Sequence, residues 1–270
     1  MTDSPSAKKE AIDDETKAKR QAQYKARAIA RAKQNQSYKD YDEVIPIEIL
    51  HHDEEILVVN KPPFMMVHPW KGGPRREKAL MTHVKEQTGE WVYPVHRLDR
   101  QTSGIVLFAL KPGNVTFFKD RWHSDEVEKK YICLASGEIE EEGRFKNQLK
   151  NSKGHKQDAL TEYRPLEFFN HLDYPCTLCD VTIRTGRKHQ IRRHFSRHMK
   201  NVIGDTRHGK GPINDFFREQ LNLHRLFLHA YYLKIPHPTK NTLLHFRQEM
   251  QEDLTSTLER FRQLSRTSES

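Results

Sequence analysis

Two rhythms of apolar residues run through this chain, and the change from one to the other marks its elements. The runs "IPIEIL" and "EEILVVNKP", parted by "HHDE", predict two strands joined by a turn, the second stopped by Lys61-Pro62. Leu80 and Val84 sit at helical spacing and predict a helix over residues 76–87 that closes at Gly89. The continuous run "GIVLFAL" predicts a core strand, and Pro112 and Asn114 suit the start of a helix over "NVTFFKDRWH". "KKYICLASG" reads as a strand, while "TEYRPLEFF" and "TLCDVTIRTG" alternate at period two and predict an antiparallel pair ending at Gly186. Helical period returns in "KHQIRRHFSRHM", with Ile191 and Phe195 on one face, and in the short "NDFFREQL". Two more strands, "RLFLHAYYLKIPHP" and "TLLHF", precede an amphipathic helix over residues 249–264. Strands outnumber helices and many are sequence neighbours, so the pattern predicts an α+β fold with a mixed, mostly antiparallel central sheet and flanking helices.

Ahead of this body, residues 1–43 are Lys, Arg, Ala and Gln in helix-favouring order without an apolar stripe wide enough to dock. They predict a basic arm, disordered or transiently helical, leaving residues 44–265 as the folded domain. Charge sharpens the picture. The net charge is +9, and the positive residues are clustered: between Thr16 and Lys39 there are Lys17, Lys19, Arg20, Lys25, Arg27, Arg31, Lys33 and Lys39 with no acid among them. A second block runs from Arg184 to Lys210, opposed only by Asp205. Such blocks suit a polyanionic partner, most often nucleic acid, or else form a solvated surface with no partner. No run approaches the roughly 20 apolar residues of a membrane span, and no apolar stretch follows the N-terminal charges, so the expected place is the cytoplasm. No protein partner is indicated.

Candidate chemistry centres on "HRLDRQTSGIVLFAL", where Asp99 stands between Arg97 and Arg100 just ahead of a core strand. Nearby positive charge favours an ionised carboxylate, which makes Asp99 a nucleophile, a base or a structural ion-pair partner. Tyr131, inside "KKYICLASG", reads unaided as a core tyrosine or a site residue. Cys176 and Cys179 form a Cys-x-x-Cys pair, but no second pair follows at zinc spacing, so they read as residues on opposite phases of a strand. His194 and His198 are four apart on a predicted helix, yet the surrounding arginines disfavour a metal, and Lys188, Arg192, Arg193 and Arg197 read as phosphate contacts instead. Walker and Rossmann glycine patterns are absent, as is the carboxylate cluster a Mg²⁺ nuclease needs.

In their order and separations, "VNKPPFMMVHP", "HRLDRQTSG", "KKYICLASG", "RTGRKHQIRRH", "IGDTRHG" and "HRLFLHAYYL" resemble the RluA branch of the RNA pseudouridine synthases. The resemblance implies a pseudouridine-synthase-like fold with a catalytic cleft across the sheet, and isomerisation of uridine to pseudouridine without a cofactor. It implies that Asp99 is the catalytic aspartate, that Tyr131 packs on the base and helps remove its proton, and that Arg187 pairs with the aspartate. Leu228 would floor the base pocket, Arg97 would fill the gap left by a flipped nucleotide, and Arg100 would hold a flanking phosphate. Lys61-Pro62 would shape the approach to the cleft. Asp205 reads as the cap of a turn or the orienter of an arginine rather than a second acid. "TGRKHQIRRH" and "GDTRHG" look most like the tRNA-modifying members, which implies uridine 65 of tRNA as substrate. Ribosomal RNA as substrate and a non-catalytic RNA-binding module are the alternatives. Residues 138–156 and the stretch "HPWKGGPRREKAL" carry little of the family pattern and are expected to form loops at the rim of the cleft, where RNA specificity is decided.

Overall fold

A single large sheet organises the molecule, and the alternation of its apolar residues explains why. The computed structural model describes residues 45–69, 78–170 and 174–267; the basic arm lies outside them. Strands β1 (Glu48–His52), β2 (Ile56–Lys61), β3 (Tyr93–Pro94) and β4 (Ser103–Ala109) come from the N-terminal part. The rest are β5 (Glu128–Ser136), β6 (Gly143–Phe145), β9 (Thr161–Phe169), β10 (Cys176–Ile183), β11 (Leu228–Pro236) and β12 (Leu243–Arg247). Their order is β1-β2-β4-β11-β5-β10-β9-β6, with β3 against β4 and β12 against β11. Every pairing is antiparallel except β4 with β11, which run parallel through His229 opposite Ser103 and Ala230 opposite Gly104. The expected mixed, mostly antiparallel sheet is what the chain forms.

Among the described residues five helices flank it: α1 (Leu80–Thr88), α2 (Pro112–Arg121), α3 (Gln190–Arg197), α4 (Gly211–Leu221) and α5 (Glu252–Thr267). Helices cover both faces, so central strands lose the polar half of the usual alternation. On β4, Val106 and Phe108 pack in one core with Leu80 and Val84 of α1 and Ile191 and Phe195 of α3. Ile105 and Leu107 pack on the opposite side with Phe118 of α2. A third core joins Phe217 and Leu221 of α4 to Leu254, Leu258 and Phe261 of α5. The "GIVLFA" run is therefore unbroken because neither side meets water. Cys176 and Cys179, three apart, fall into different cores as buried free thiols, as opposite strand phases require.

At the seam between β4 and β11 the backbones approach too closely for a side chain. Gly104 has φ +113°, and a Cβ there would lie 2.2 Å from the Ala230 carbonyl oxygen. Residues 138–156 depart from the expected loops. Phe145 of β6 stacks on Tyr163 of β9 (ring centroids 4.6 Å apart), and a small ribbon of β7 (Leu149–Lys150) and β8 (Lys156–Gln157) follows. Buried Phe145 and Leu149 anchor the segment to the body, and none of it lines the cleft described next. Among the described residues no helix is long and apolar enough to cross a membrane.

Candidate active site

A cleft of about 310 Å³ opens across the sheet at this seam, at the small end of ligand pockets. It is lined by the segment Val95–Asp99, by Tyr131 of β5 and Leu228 of β11, and by the turn and first residues of α3. Among the described residues that line it, Asp99 is the one acid. The turn that carries Asp99 is fixed from below by Lys61. Its buried ammonium donates to the carbonyls of Pro62 (2.7 Å), Met65 (2.8 Å) and Arg100 (3.3 Å), which ties the Lys-Pro turn to the aspartate's own turn.

The guanidinium that reaches Asp99 belongs to Arg192. Its Nη1 donates to Asp99 Oδ2 at 2.8 Å, while Nε and Nη2 grip both oxygens of Asp205, each at 2.8 Å. Asp205 is 1% exposed and also accepts the N–H groups of Arg207 and His208, so it caps a turn and orders an arginine at once. Burial works against its charge, but Arg192 and the two backbone donors outweigh it and hold the carboxyl below the ordinary range. Two expectations are corrected here. Arg187 does not pair with Asp99: it precedes α3, and its Nε donates to the Asp158 carbonyl at 3.0 Å. Arg192 is not a phosphate contact, being 7% exposed and committed to two carboxylates.

Local sequence explains this inward turn. Gln190 is 3% exposed and staples the loop before α3: its Oε1 accepts from the Thr185 hydroxyl and the Arg187 N–H, and its Nε2 donates to Leu160 O and Thr161 Oγ1. His189 adopts φ +52°, a left-handed backbone uncommon outside glycine, and this sets the entry angle of α3. With Ile191 and Phe195 facing the core, Arg192 falls beside the buried face and Arg193 and Arg197 fall outside it. Those last two do not line the cleft. Arg193 donates to the Lys150 and Lys188 carbonyls, and Arg197 to the Gln148 carbonyl, binding the β7 segment to α3. Both His194 ring nitrogens are engaged, one with Thr161 and one with the Asn147 carbonyl, so the His194/His198 spacing serves packing.

Other expected residues fall as follows. Tyr131 is 7% exposed and lines the cleft, its phenol pushed up by burial and then by the charge of Asp99, so it stays protonated at neutral pH. Leu228 is buried in the cleft wall, opposite Cys133 in the strand register. Arg97 and Lys188 are exposed on the lining. Arg100 is half-buried outside it.

Sequence reasoning missed a second group of lining residues. His96 stacks on Trp122 (4.9 Å between centroids), and its Nε2 accepts the Leu107 N–H at 3.1 Å. Burial and then the charge of Lys129 push this ring down to about 3, so it is neutral with its proton on Nδ1. His189 Nε2 lies 3.7 Å from Asp99 Oδ1, and its Nδ1 is 3.0 Å from His208 Nε2. Burial pushes His189 down to about 4, so near neutrality it too is uncharged. Lys129 is buried in the same wall.

The residues 55–197 match the model of the RNA pseudouridylate synthase family. The chain is 34% identical over 233 residues to a tRNA pseudouridine synthase C of Vibrio vulnificus, covering 80% of this chain and 95% of the relative. It is 35% identical over 237 residues to the enzyme of the same name from Vibrio cholerae, with 80% and 96% covered. The fold resembles the solved structure of human RNA pseudouridylate synthase domain containing 4, with TM-score 0.64 and 22% identity over 80% of this chain and 93% of that one. The chain belongs to the RNA pseudouridylate synthase family.

Proposed function

We propose that this protein converts uridine to pseudouridine in tRNA, at uridine 65, with Asp99 as the catalytic carboxylate. The observation that carries the reading is Asp99 itself, the one acid among the described residues lining a cleft whose other walls include Tyr131 and Leu228, and hydrogen-bonded by Arg192. The names of the relatives support tRNA as the substrate. The reaction breaks the bond between ribose C1′ and N1, turns the base, and rejoins C1′ to C5. A carboxylate at the cleft mouth suits the electron-poor C1′ of that step, since fixed charge aimed at developing charge lowers the barrier. Tyr131, kept as a neutral phenol, packs on the base, and Leu228 supports it from the wall. A uridine in a helical stem must leave the stack to enter, at a cost of a few kcal/mol. The exposure of Arg97 and Lys188 on the cleft lining supports a bracing role for the first and phosphate contact for the second. The basic arm over residues 1–43 supplies further positive charge to a polyanion.

The test is incubation with unmodified tRNA transcript carrying uridine 65, followed by chemical mapping of pseudouridine, with Asp99→Asn as the control. A new pseudouridine at position 65, absent with Asp99→Asn, is expected. Modification of ribosomal RNA alone would move the substrate, and no modification of any cellular RNA would overturn the reading.

A further inference from the structure

Lys129 lies two residues before Tyr131 on β5, so strand alternation puts both side chains on the cleft face. It is 4% exposed. Its ammonium donates to the Trp122 carbonyl at 2.6 Å and sits 5.0 Å from the Trp122 ring centroid. Among the described residues no carboxylate lies within 4.0 Å of it. The charge that bears on it is that of Arg184, which is positive, and the titratable groups around it include the neutral His96 ring, His123, whose ring burial also pushes down, and the protonated Tyr131 phenol on the same strand face. Burial, then Arg184, bring the lysine down to about 8. A buried charge without a counter-charge is strongly unfavourable, and a hydrophobic side chain of the same length would fill the space without that penalty. Its presence in a ligand cleft points to an anion delivered by the ligand.

Depth decides which anion. Asp99, with its side chain 18% exposed, and the exposed Arg97 and Lys188 mark the mouth, while Lys129 lies in the interior. The ribose of a flipped nucleotide stays joined to phosphates on both sides, and these remain at the mouth with the polynucleotide; the base alone reaches inward. When the N1–C1′ bond breaks, its electron pair leaves with the base, whose negative charge spreads onto the carbonyl oxygens. We propose that Lys129 is a further catalytic residue, whose Nζ faces a carbonyl oxygen of the extruded uracil and stabilises the anion while the base is detached. Asp99 and Lys129 then answer the two opposite charges of one cleavage. Lys129 keeps its three protons throughout: C5 supplies the pair for the new C5–C1′ bond, the C5 proton passes to water, and water returns one proton to N1, so the net change is the move of one hydrogen from C5 to N1. This inference rests on the synthase reading above and deepens it.

The experiment measures kcat and KM on unmodified tRNA transcript between pH 6.5 and 9.5 for the wild type, Lys129→Met and Lys129→Arg, with Asp99→Asn alongside. Wild-type kcat/KM is expected to fall above about pH 8, where the ammonium loses its proton. Lys129→Met should lower kcat about 10²-fold, as loss of one transition-state donor does, with KM within about 3-fold. Its melting temperature should equal or exceed that of the wild type, because an uncompensated charge has been removed. Lys129→Arg, always charged, should move the alkaline fall upward. A loss confined to KM, wild-type kcat in Lys129→Met, or an alkaline fall unmoved in Lys129→Arg overturns the assignment. If the wild type is active and Asp99→Asn inactive, such a result removes Lys129 alone; a wild type that forms no pseudouridine in any RNA removes both readings.

Discussion

Replacing Arg192 by lysine separates two arginines that lie five positions apart and look alike in sequence. Arg192 makes three charge-assisted hydrogen bonds of 2.8 Å, two to Asp205 and one to Asp99. A lysine has no planar fork and reaches one carboxylate, so two of the three bonds are lost. Each such bond contributes about 1.5–3 kcal/mol. Asp99, at 18% side-chain exposure, recovers part of this from water, whereas Asp205, at 1%, does not. A net loss of about 2–4 kcal/mol follows, or a fall in melting temperature of roughly 5–15 °C for a domain of this size. On the role proposed for Asp99, loss of this tether should also cost activity, since a misplacement near 1 Å lowers the rate about 10²-fold. Arg187→Lys gives up one bond to a carbonyl on the surface and should stay within about 0.5 kcal/mol of wild type, with kcat unchanged. Thermal unfolding and single-turnover pseudouridine formation on both variants decide the matter. If Arg187→Lys loses about 10²-fold in rate while Arg192→Lys melts and turns over like the wild type, the reasoning from this geometry is wrong.

Gly104→Ala puts a methyl 2.2 Å from the Ala230 carbonyl oxygen and should leave no soluble folded protein or a greatly lowered melting temperature; an unchanged melting curve would contradict the seam described here. Asp205 has its folded-state pKa depressed, so its contribution to stability is present above its ordinary value of 3.8 and is lost as pH falls through the folded value. Urea unfolding between pH 7 and pH 3 should therefore lose stability more steeply for the wild type than for Asp205→Asn, and equal slopes would sink the assignment. Arg97→Ala should lower kcat/KM on folded tRNA by about 10-fold or more, because the cost of holding the base out is no longer shared; full activity there would rule out a bracing role.

Element positions were readable wherever an apolar rhythm ran for a full strand or helix. "GIVLFAL" became β4, and Ile191 and Phe195 did mark the buried face of α3. What escaped was pairing at a distance. In "RTGRKHQIRRH" nothing local tells Arg187 from Arg192, since the choice depends on where α3 begins and on Asp205, which the chain brings in later to fix the inward one. Lys129 left a usable signal, for it shares the phase of Tyr131 and Cys133, yet a lysine near a strand start reads as solvated. Residues 138–156 have strands too short for any period to show, so their anchoring through Phe145 and Leu149 was invisible. Asp99 could be singled out by its motif alone.

The seam between β4 and β11 also governs when the site comes into being. Asp99 precedes β4, whereas Tyr131, Arg192 and Leu228 belong to elements on the far side, and the two halves meet through Ser103 and Gly104 opposite His229 and Ala230. A ribosome adding about 5–20 residues per second takes roughly 6–25 s to travel from the first pair to its partner. Until β11 emerges, a nascent chain holds its aspartate without the walls of a pocket around it. On the role proposed for Asp99, the site is complete only once β11, the last of the central strands in chain order, lies between β4 and β5.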